Sequence, residues 1–360
     1  MHRNRLLSLL GIDLPLIQAP MAGVSSPEMA AAVSAAGALG SIAVGAGDAE
    51  TARGMIRAVR ARTAAPFNVN LFCHAPAAAD PAKQAAWIER FASLFAAHGA
   101  KPPAELHEIY RSFTVDDAML AMLLEERPAI VSFHFGLPSD AAIAALKAAG
   151  IVLLACATNL AEAGAIAAAG IDAVVAQGWE AGGHRGLFDP DAQDERLGTV
   201  ALVRLIAAAF DIPVIAAGGI MDGRGIAAAL ALGASAAQLG TAFLITDESL
   251  ADSGYRAALA NSGGRRTTMT RIVSGRPARI LPNRFAALED SCDDAAIPAY
   301  PIAYDLGKAL HAAAKAQGEH GYGAHWAGQG APLARAMPAA ELVRTLASEL
   351  AQALGEKAPA

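Results

Sequence analysis

Short apolar runs rich in Val, Ile and Leu alternate along this chain with Ala-rich stretches whose polar positions recur at helical spacing. The runs are Leu14–Pro20, Leu39–Gly45, Phe67–Phe72, Ala129–Phe135, Ile151–Ala157, Ala173–Gly178, Pro213–Gly219 and Ala236–Phe243. They are too short for helices and too continuously apolar for strands with one wet face. They read as strands buried on both sides, as in a parallel sheet. The stretches between them read as helices. Ser26 and Pro27 supply a cap and a first-turn proline for "EMAAAVSAAG", and a glycine ends it. "SDAAIAALKAAG", "NLAEAGAIAAAG" and "MDGRGIAAALALG" repeat that pattern. Eight strand candidates, most with a following helix, predict an α/β fold, a TIM (β/α)8 barrel. An open doubly wound sheet is the alternative. The count of eight and the glycines at strand ends favour the barrel.

Two spacings break the rhythm. Residues 73–128 follow the third strand and have room for extra helices, in "PAKQAAWIERFASLFAAHG" and "VDDAMLAMLLEE". Residues 246–340 follow the eighth strand. Loops after barrel strands lie on the catalytic face, so both insertions are expected to cover the site. The predicted organisation is a barrel core over residues 1–245 with the insertion 73–128, and a helical extension over 246–340 covering the mouth. A C-terminal helix and tail follow over 341–360. No second core is apparent.

Composition narrows the picture. The 360 residues are 54% hydrophobic and 17% charged, with a net charge of −6. That supports a large core and argues against disorder. No basic stripe suggests a nucleic-acid surface. Cys73, Cys156 and Cys292 are far apart, without a CxxC pair or zinc spacing, so they read as reduced thiols and not as metal ligands. The apolar run near the N-terminus stops at Asp13 without a cleavage site, and no segment looks membrane-spanning. The expectation is a cytoplasmic protein with neither a metal nor a membrane partner.

In a barrel, chemistry gathers at the C-terminal ends of the strands. Those ends present Gln18 to Met21, Asn68 to Asn70, His134, Gln177 to His184, Gly218 with Gly219, and Gln238 to Thr241. They hold amides, glycines and histidines, but no acidic pair and no His/Cys cluster. Glycoside hydrolysis and metal-dependent hydrolysis lose ground accordingly. Gly218, Gly219, Gly240 and Thr241 occupy the places after strands seven and eight where a phosphate commonly sits. With neither a Walker motif nor an early GxGxxG, a phosphorylated cofactor such as FMN is the reading, against glycines that serve only strand–helix packing. Asn70 and Gln177 suit a heterocycle edge and loop backbone groups equally. His184 lies in a glycine-flanked loop, "QGWEAGGHRG", as a candidate base. His134, in "VSFHFGLP", is either a second base or a buried, hydrogen-bonded histidine. Tyr110, Tyr255, Tyr300 and Tyr304 fall in the insertions. Tyr300, Tyr304 and Lys308 recur every four residues, a helical face suited either to a small anion or to solvent.

Taken together and in order, "QAPMAG", "NVNLF", "SFHFGLP", "QGWEAGGHRG", "AAGGIMDGRG", "AQLGTAF" and "WAGQGAP" resemble the nitronate monooxygenases, most of all their class I members. The resemblance runs from about Leu14 to about Arg335. It implies an FMN-containing barrel that oxidises alkyl nitronates, notably propionate 3-nitronate, with O2 and without nicotinamide. The products would be an aldehyde or keto acid with nitrite or nitrate. It implies FMN contacts at Asn70, Gln177, Gly182, Gly183, Gly218, Gly219 and Gln238, Leu239, Gly240 and Thr241. Ala19, Pro20 and Met21 would lie along the flavin ring, with Gln329 near the cofactor. His184 would be the catalytic histidine. His134, Tyr110, Tyr255, Tyr300, Tyr304 and Lys308 would shape the substrate pocket, and Lys308, Arg185 or the tyrosine hydroxyls would hold the nitro oxygens. A monomer and a homodimer are both compatible with this reading. Flavin-dependent enoyl reductases and NADH:quinone reductases share the barrel and similar "GGH" loops, so an NAD(P)H-dependent flavin reductase is the alternative. "HRG" followed by Leu187 and Phe188, with "SFHFG", favours the nitronate group.

Overall fold

The computed structural model describes residues 5–261 and 266–356. Strands β1 (Leu16–Gln18), β2 (Gly40–Ala43), β3 (Phe67–Phe72), β4 (Ile130–His134), β5 (Val152–Ala157) and β6 (Ala173–Gln177) run parallel. A two-residue strand, β7 (Gly183–His184), stands apart from them, and β8 (Val214–Ala217) and β9 (Ala236–Leu239) complete an eight-stranded sheet. The order is β1-β9-β8-β6-β5-β4-β3-β2. Its two edges meet where Ile17 bridges Leu39: Gln18 N donates to Leu39 O at 2.9 Å and Leu39 N to Leu16 O at 3.0 Å, which closes the barrel. The expected TIM barrel is the fold observed.

Local chemistry explains where the helices begin. Ser26 accepts from Met29 N at 2.9 Å, Asn159 from Glu162 N at 2.9 Å and Asp222 from Gly225 N at 2.8 Å. Each such cap stabilises by about 1 kcal/mol. Inside the barrel the layer beneath the mouth is polar. Asn68 Nδ2 donates to Ser41 Oγ at 3.2 Å and Ser132 Oγ at 2.9 Å, and Asn70 Nδ2 to Ser132 Oγ at 2.9 Å. Gln18 Oε1 accepts from Ser41 N at 2.7 Å. This network makes a rigid floor for whatever sits above it.

Three features depart from the sequence reading. First, the extension is not purely helical. Strands β10 (Thr268–Thr270) and β11 (Ala278–Ile280) pair antiparallel, and β11 pairs with β7, so the "GGH" loop is an edge strand of a three-stranded sheet. Strands this short leave no periodic signal. Second, there is a second core. Trp87, Phe91 and Phe95 of the insertion pack with Phe285, Leu306 and Leu310 of the extension. The partners lie too far apart in the chain for either half to announce the other. Third, the C-terminal helix Ala339–Leu354 is part of the barrel. It buries Leu342, Leu346 and Leu350 in the main core, against the helices Gly223–Ala231 and Pro27–Ala35 that follow β8 and β1. It stands where the helix after β9 belongs, and the extension is an excursion that precedes it. Among the described residues no helix is long and apolar enough to cross a membrane.

Candidate active site

A cavity of about 820 Å³ opens at the C-terminal ends of the barrel strands. Its floor gathers Ala19, Pro20 and Met21 after β1, Asn70 from β3, His134 at the end of β4 and Gln177 at the end of β6. Gly218 and Gly219 after β8, and Gln238, Gly240 and Thr241 at the end of β9, form one side. Gly182, Gly183 and His184 overhang it. Leu239 and Gln329 stand elsewhere. Leu239 alternates away from Gln238 and Gly240 and packs in the core, while Gln329 is exposed and only its flanking Gly328 and Gly330 line the cavity.

The glycines after β8 sit at φ 125° (Gly218) and 71° (Gly219), conformations in which a side chain is strained. Among the described residues, the N–H groups of Gly218, Gly219, Gly240 and Thr241 donate to no other protein group. The neighbouring helix starts are already capped by carboxylates. Glu180 accepts from Thr199 N at 2.9 Å, and Glu349 accepts from Gly223 N at 2.9 Å. The free amides are therefore those of the loops, and they make a cradle for an anion such as a phosphate.

The "QGWEAGGHRG" loop is held by its own strand. Gln177 Nε2 donates to His184 O at 2.9 Å, and its Oε1 accepts from Gly186 N at 2.8 Å. Its amide is thus occupied by the loop backbone. Arg185 is also committed: Nη1 donates to Gln177 O at 2.9 Å and Gly178 O at 3.1 Å, and Nε pairs with Asp194 at 2.8 Å. That corrects its expected role at the nitro oxygens, since the guanidinium is buried in the loop and locks it. Gly182 passes directly beneath the segment Ala327–Gly328, where a Cβ would fall 2.3 Å from Gly328 N.

Held this way, His184 faces the cavity, with Nε2 2.9 Å from Ser274 Oγ. His134 Nε2 lies 3.3 Å from the His184 carbonyl, so that nitrogen carries the proton and donates. Rings enclose His184: Trp326 at 5.0 Å, Tyr300 at 5.4 Å and Phe135 at 5.6 Å between centroids. Tyr110, Tyr255, Tyr304 and Lys308 line the same cavity. Tyr304 and Lys308 lie in the helix Ile302–Lys315 and Tyr300 just precedes it, so the four-residue spacing brings all three to one wall. Lys308 Nζ is 5.0 Å from the Tyr110 ring and 5.4 Å from that of Tyr304. Tyr255 donates to Trp326 O, while the buried Tyr300 hydroxyl has no partner among the described residues. Phe135, Ser274 and Trp326 were missed by sequence reasoning. Trp326 had a signal, since it opens the quoted "WAGQGAP"; Ser274 had none. Among the described residues no group of His, Cys, Asp or Glu side chains is placed to hold a metal ion.

Burial, then the nearby Arg276 charge, pushes the imidazoles of His74 and His134 down to about 4. Burial followed by His134 and Arg276 brings His184 to about 3. All three are neutral at physiological pH. The unfolded chain takes up protons at these positions near pH 6.5, and the folded chain resists until about pH 4. The unfolded state therefore binds more protons in between, and stability is lost as pH falls through that window. Thermal melts are expected to show a steady Tm above about pH 7 and a progressive fall from about 6.5 to 4. A flat Tm across that interval would contradict burial of these groups as neutral imidazoles.

Comparison with known proteins agrees with this architecture. The family model described as nitronate monooxygenase matches residues 3–349. A nitronate monooxygenase of Paraburkholderia phytofirmans is 62% identical over 98% of this chain and 96% of its own length. One from Pseudomonas aeruginosa is 57% identical over 96% of this chain and 99% of its own. Among solved structures, the nitroalkane oxidase of Streptomyces ansochromogenes superposes with a TM-score of 0.87 at 43% identity, covering 97% of this chain and 99% of that one. FabK of Thermotoga maritima gives 0.75 at 29% identity, covering 99% of this chain and 98% of that one.

Proposed function

The chain belongs to the nitronate monooxygenase family and is an oxidoreductase, and from that premise we propose that it oxidises alkyl nitronates with O2 on a bound FMN. Propionate 3-nitronate is the first candidate substrate, with an aldehyde or keto acid and nitrite or nitrate as products. The observation that carries this reading is the cavity wall. Among the described residues, a cation without a carboxylate partner (Lys308), a partnerless buried hydroxyl (Tyr300) and a neutral imidazole (His184) share one aromatic-walled cavity. That combination suits a small anion with two oxygen atoms.

The residues fit FMN. The free amides of Gly218, Gly219, Gly240 and Thr241 suit its phosphate. Ala19, Pro20 and Met21 offer a smooth surface for the ring, and Asn70 Oδ1, whose Nδ2 is held by Ser132, and the Gln238 amide are left to meet its edge. Gln177 supports that edge indirectly through the loop it holds. A volume of about 820 Å³ accommodates the cofactor together with a small substrate. When bound, FMN supplies the electron transfer between nitronate and O2.

The protein's own part is orientation and electrostatics. Lys308 and Tyr300 meet the nitro oxygens, and the ring of Trp326 shields the reacting carbon from water. His184, held below its usual range, is a weak base. It orients the substrate by hydrogen bonding, which suffices because a nitronate arrives already deprotonated. The reduced state of Cys73, Cys156 and Cys292 fits a cytoplasmic site of action.

The likeness to FabK keeps a flavin-dependent reductase as the second reading. Oxygen uptake by the purified yellow protein separates the two. The expected result is rapid uptake with propionate 3-nitronate and a rate with NADH at least about 100-fold lower. Comparable or faster uptake with NADH would overturn the proposal.

A further inference from the structure

Arg276 lies in the turn between β10 and β11, and its side chain is only 2% exposed. Its guanidinium donates to Leu187 O, leaves Nε without a partner among the described residues, and sits 4.1 Å from the centroid of the Phe135 ring. Glu162 and Asp189 act on it only at long range, and among the described residues it forms no ion pair. Glu162 is itself occupied by Thr158 and the backbone of Phe188. A buried cation without a counter-ion is costly to a fold, and an apolar residue of similar volume is often no less stable.

The charge is placed for use. Phe135 in turn lines the cavity, 5.4 Å from Tyr300 and 5.6 Å from His184. It is held there at φ 74°, a strained conformation for a bulky residue of the kind that clusters at functional sites. We infer that Arg276 is the fixed counter-charge of this site, a positioning residue that draws an anion into the cavity across the Phe135–Tyr300 wall. It complements Lys308, an exposed residue whose charge is more open to screening by solvent, whereas the buried guanidinium acts through protein. The same charge reaches His74, His134 and His184 and helps keep them neutral, so the positive charge the anion meets is that of Arg276 and Lys308 and not of a titrating cluster.

The inference rests on the reading of the substrate as an anion, but its test does not need turnover. Nitrate and neutral nitroethane are titrated into the holoprotein by calorimetry. Arg276→Gln removes the charge and keeps a donor for Leu187 O; Arg276→Lys keeps the charge. The expected result is about tenfold weaker nitrate binding in Arg276→Gln, less than twofold change for nitroethane, and recovery of most of the loss in Arg276→Lys. With nitronate, KM rises in parallel while kcat moves little. Unchanged nitrate affinity in a folded Arg276→Gln protein overturns the inference, as does an equal loss for both ligands or a wild type that ignores nitrate. If Arg276→Gln fails to fold, Arg276→Lys decides alone: nitrate affinity below a third of wild type with unchanged nitroethane affinity overturns it. Nitrate binding that depends on Arg276 in a protein inert to nitronates would refute the proposed function and leave Arg276 in place.

Discussion

Replacing His184 with asparagine is expected to lower kcat/KM on propionate 3-nitronate by about 10²-fold, with the yellow cofactor retained. The loop does not depend on the imidazole for its shape. Gln177 grips the main chain at His184 O and Gly186 N, and Arg185 locks the strand end through Asp194. The substitution therefore removes a hydrogen-bonding group that faces the cavity and leaves its frame standing. The loss is expected mainly in kcat, because the imidazole positions the reacting group more than it holds the substrate. A second readout separates orientation from proton transfer. With His184 at about 3, the pH profile of wild-type kcat/KM on a nitronate has no inflection between about pH 6 and 7. An inflection there that vanishes in His184→Asn would assign a titrating base instead.

Gly182→Ala is expected to weaken FMN binding by about 10²-fold, measured by equilibrium dialysis. The added Cβ would fall 2.3 Å from Gly328 N and 2.5 Å from Ala327 C. Both are backbone atoms, so no side chain can swing aside. Gly328 N donates to Thr241 Oγ1 at 2.9 Å and Gln329 N to Glu180 O at 2.9 Å, which ties this segment to the amide cradle. Pushing it away opens the cradle, and overpacking of this kind costs about 1–3 kcal/mol or more. Gly150→Ala is the control. It sits at φ 80° with nothing within 4 Å of its Cβ. It is expected to cost about 1 kcal/mol of stability through strain, with FMN affinity unchanged. Equal FMN affinities in the two variants would refute the assigned close approach.

Both expectations depend on features that were unequally legible in the chain. The barrel strands could be read because burial on both faces leaves continuous apolar runs, and the helix starts because Ser26, Asn159 and Asp222 announce their caps. The strand ends were legible for the same reason: a barrel places whatever follows each strand at one mouth, so Asn70, His134, Gly218 and Gln238 fall together without further information. Gln177 shows the limit. Its place at a strand end is readable, but whether its amide turns to a ligand or to its own loop depends on where Gly186 returns, and that is a tertiary fact. Leu239 shows a second limit: in a run of four across a strand whose side chains alternate, its side chain turns to the core. Arg276 was invisible because nothing in "SGRPARI" marks a guanidinium that will be buried against Phe135, a residue more than a hundred positions away. The three-stranded sheet and the second core were hidden likewise, since each joins segments from distant parts of the chain.

Anaerobic stopped-flow absorbance of the yellow protein, mixed separately with propionate 3-nitronate and with NADH, tests the central claim most directly. The account predicts a rapid change in the visible flavin band with the nitronate and none with NADH on the same timescale. Rapid bleaching by NADH, with no response to the nitronate, would contradict it and place the chain's chemistry with the flavin reductases.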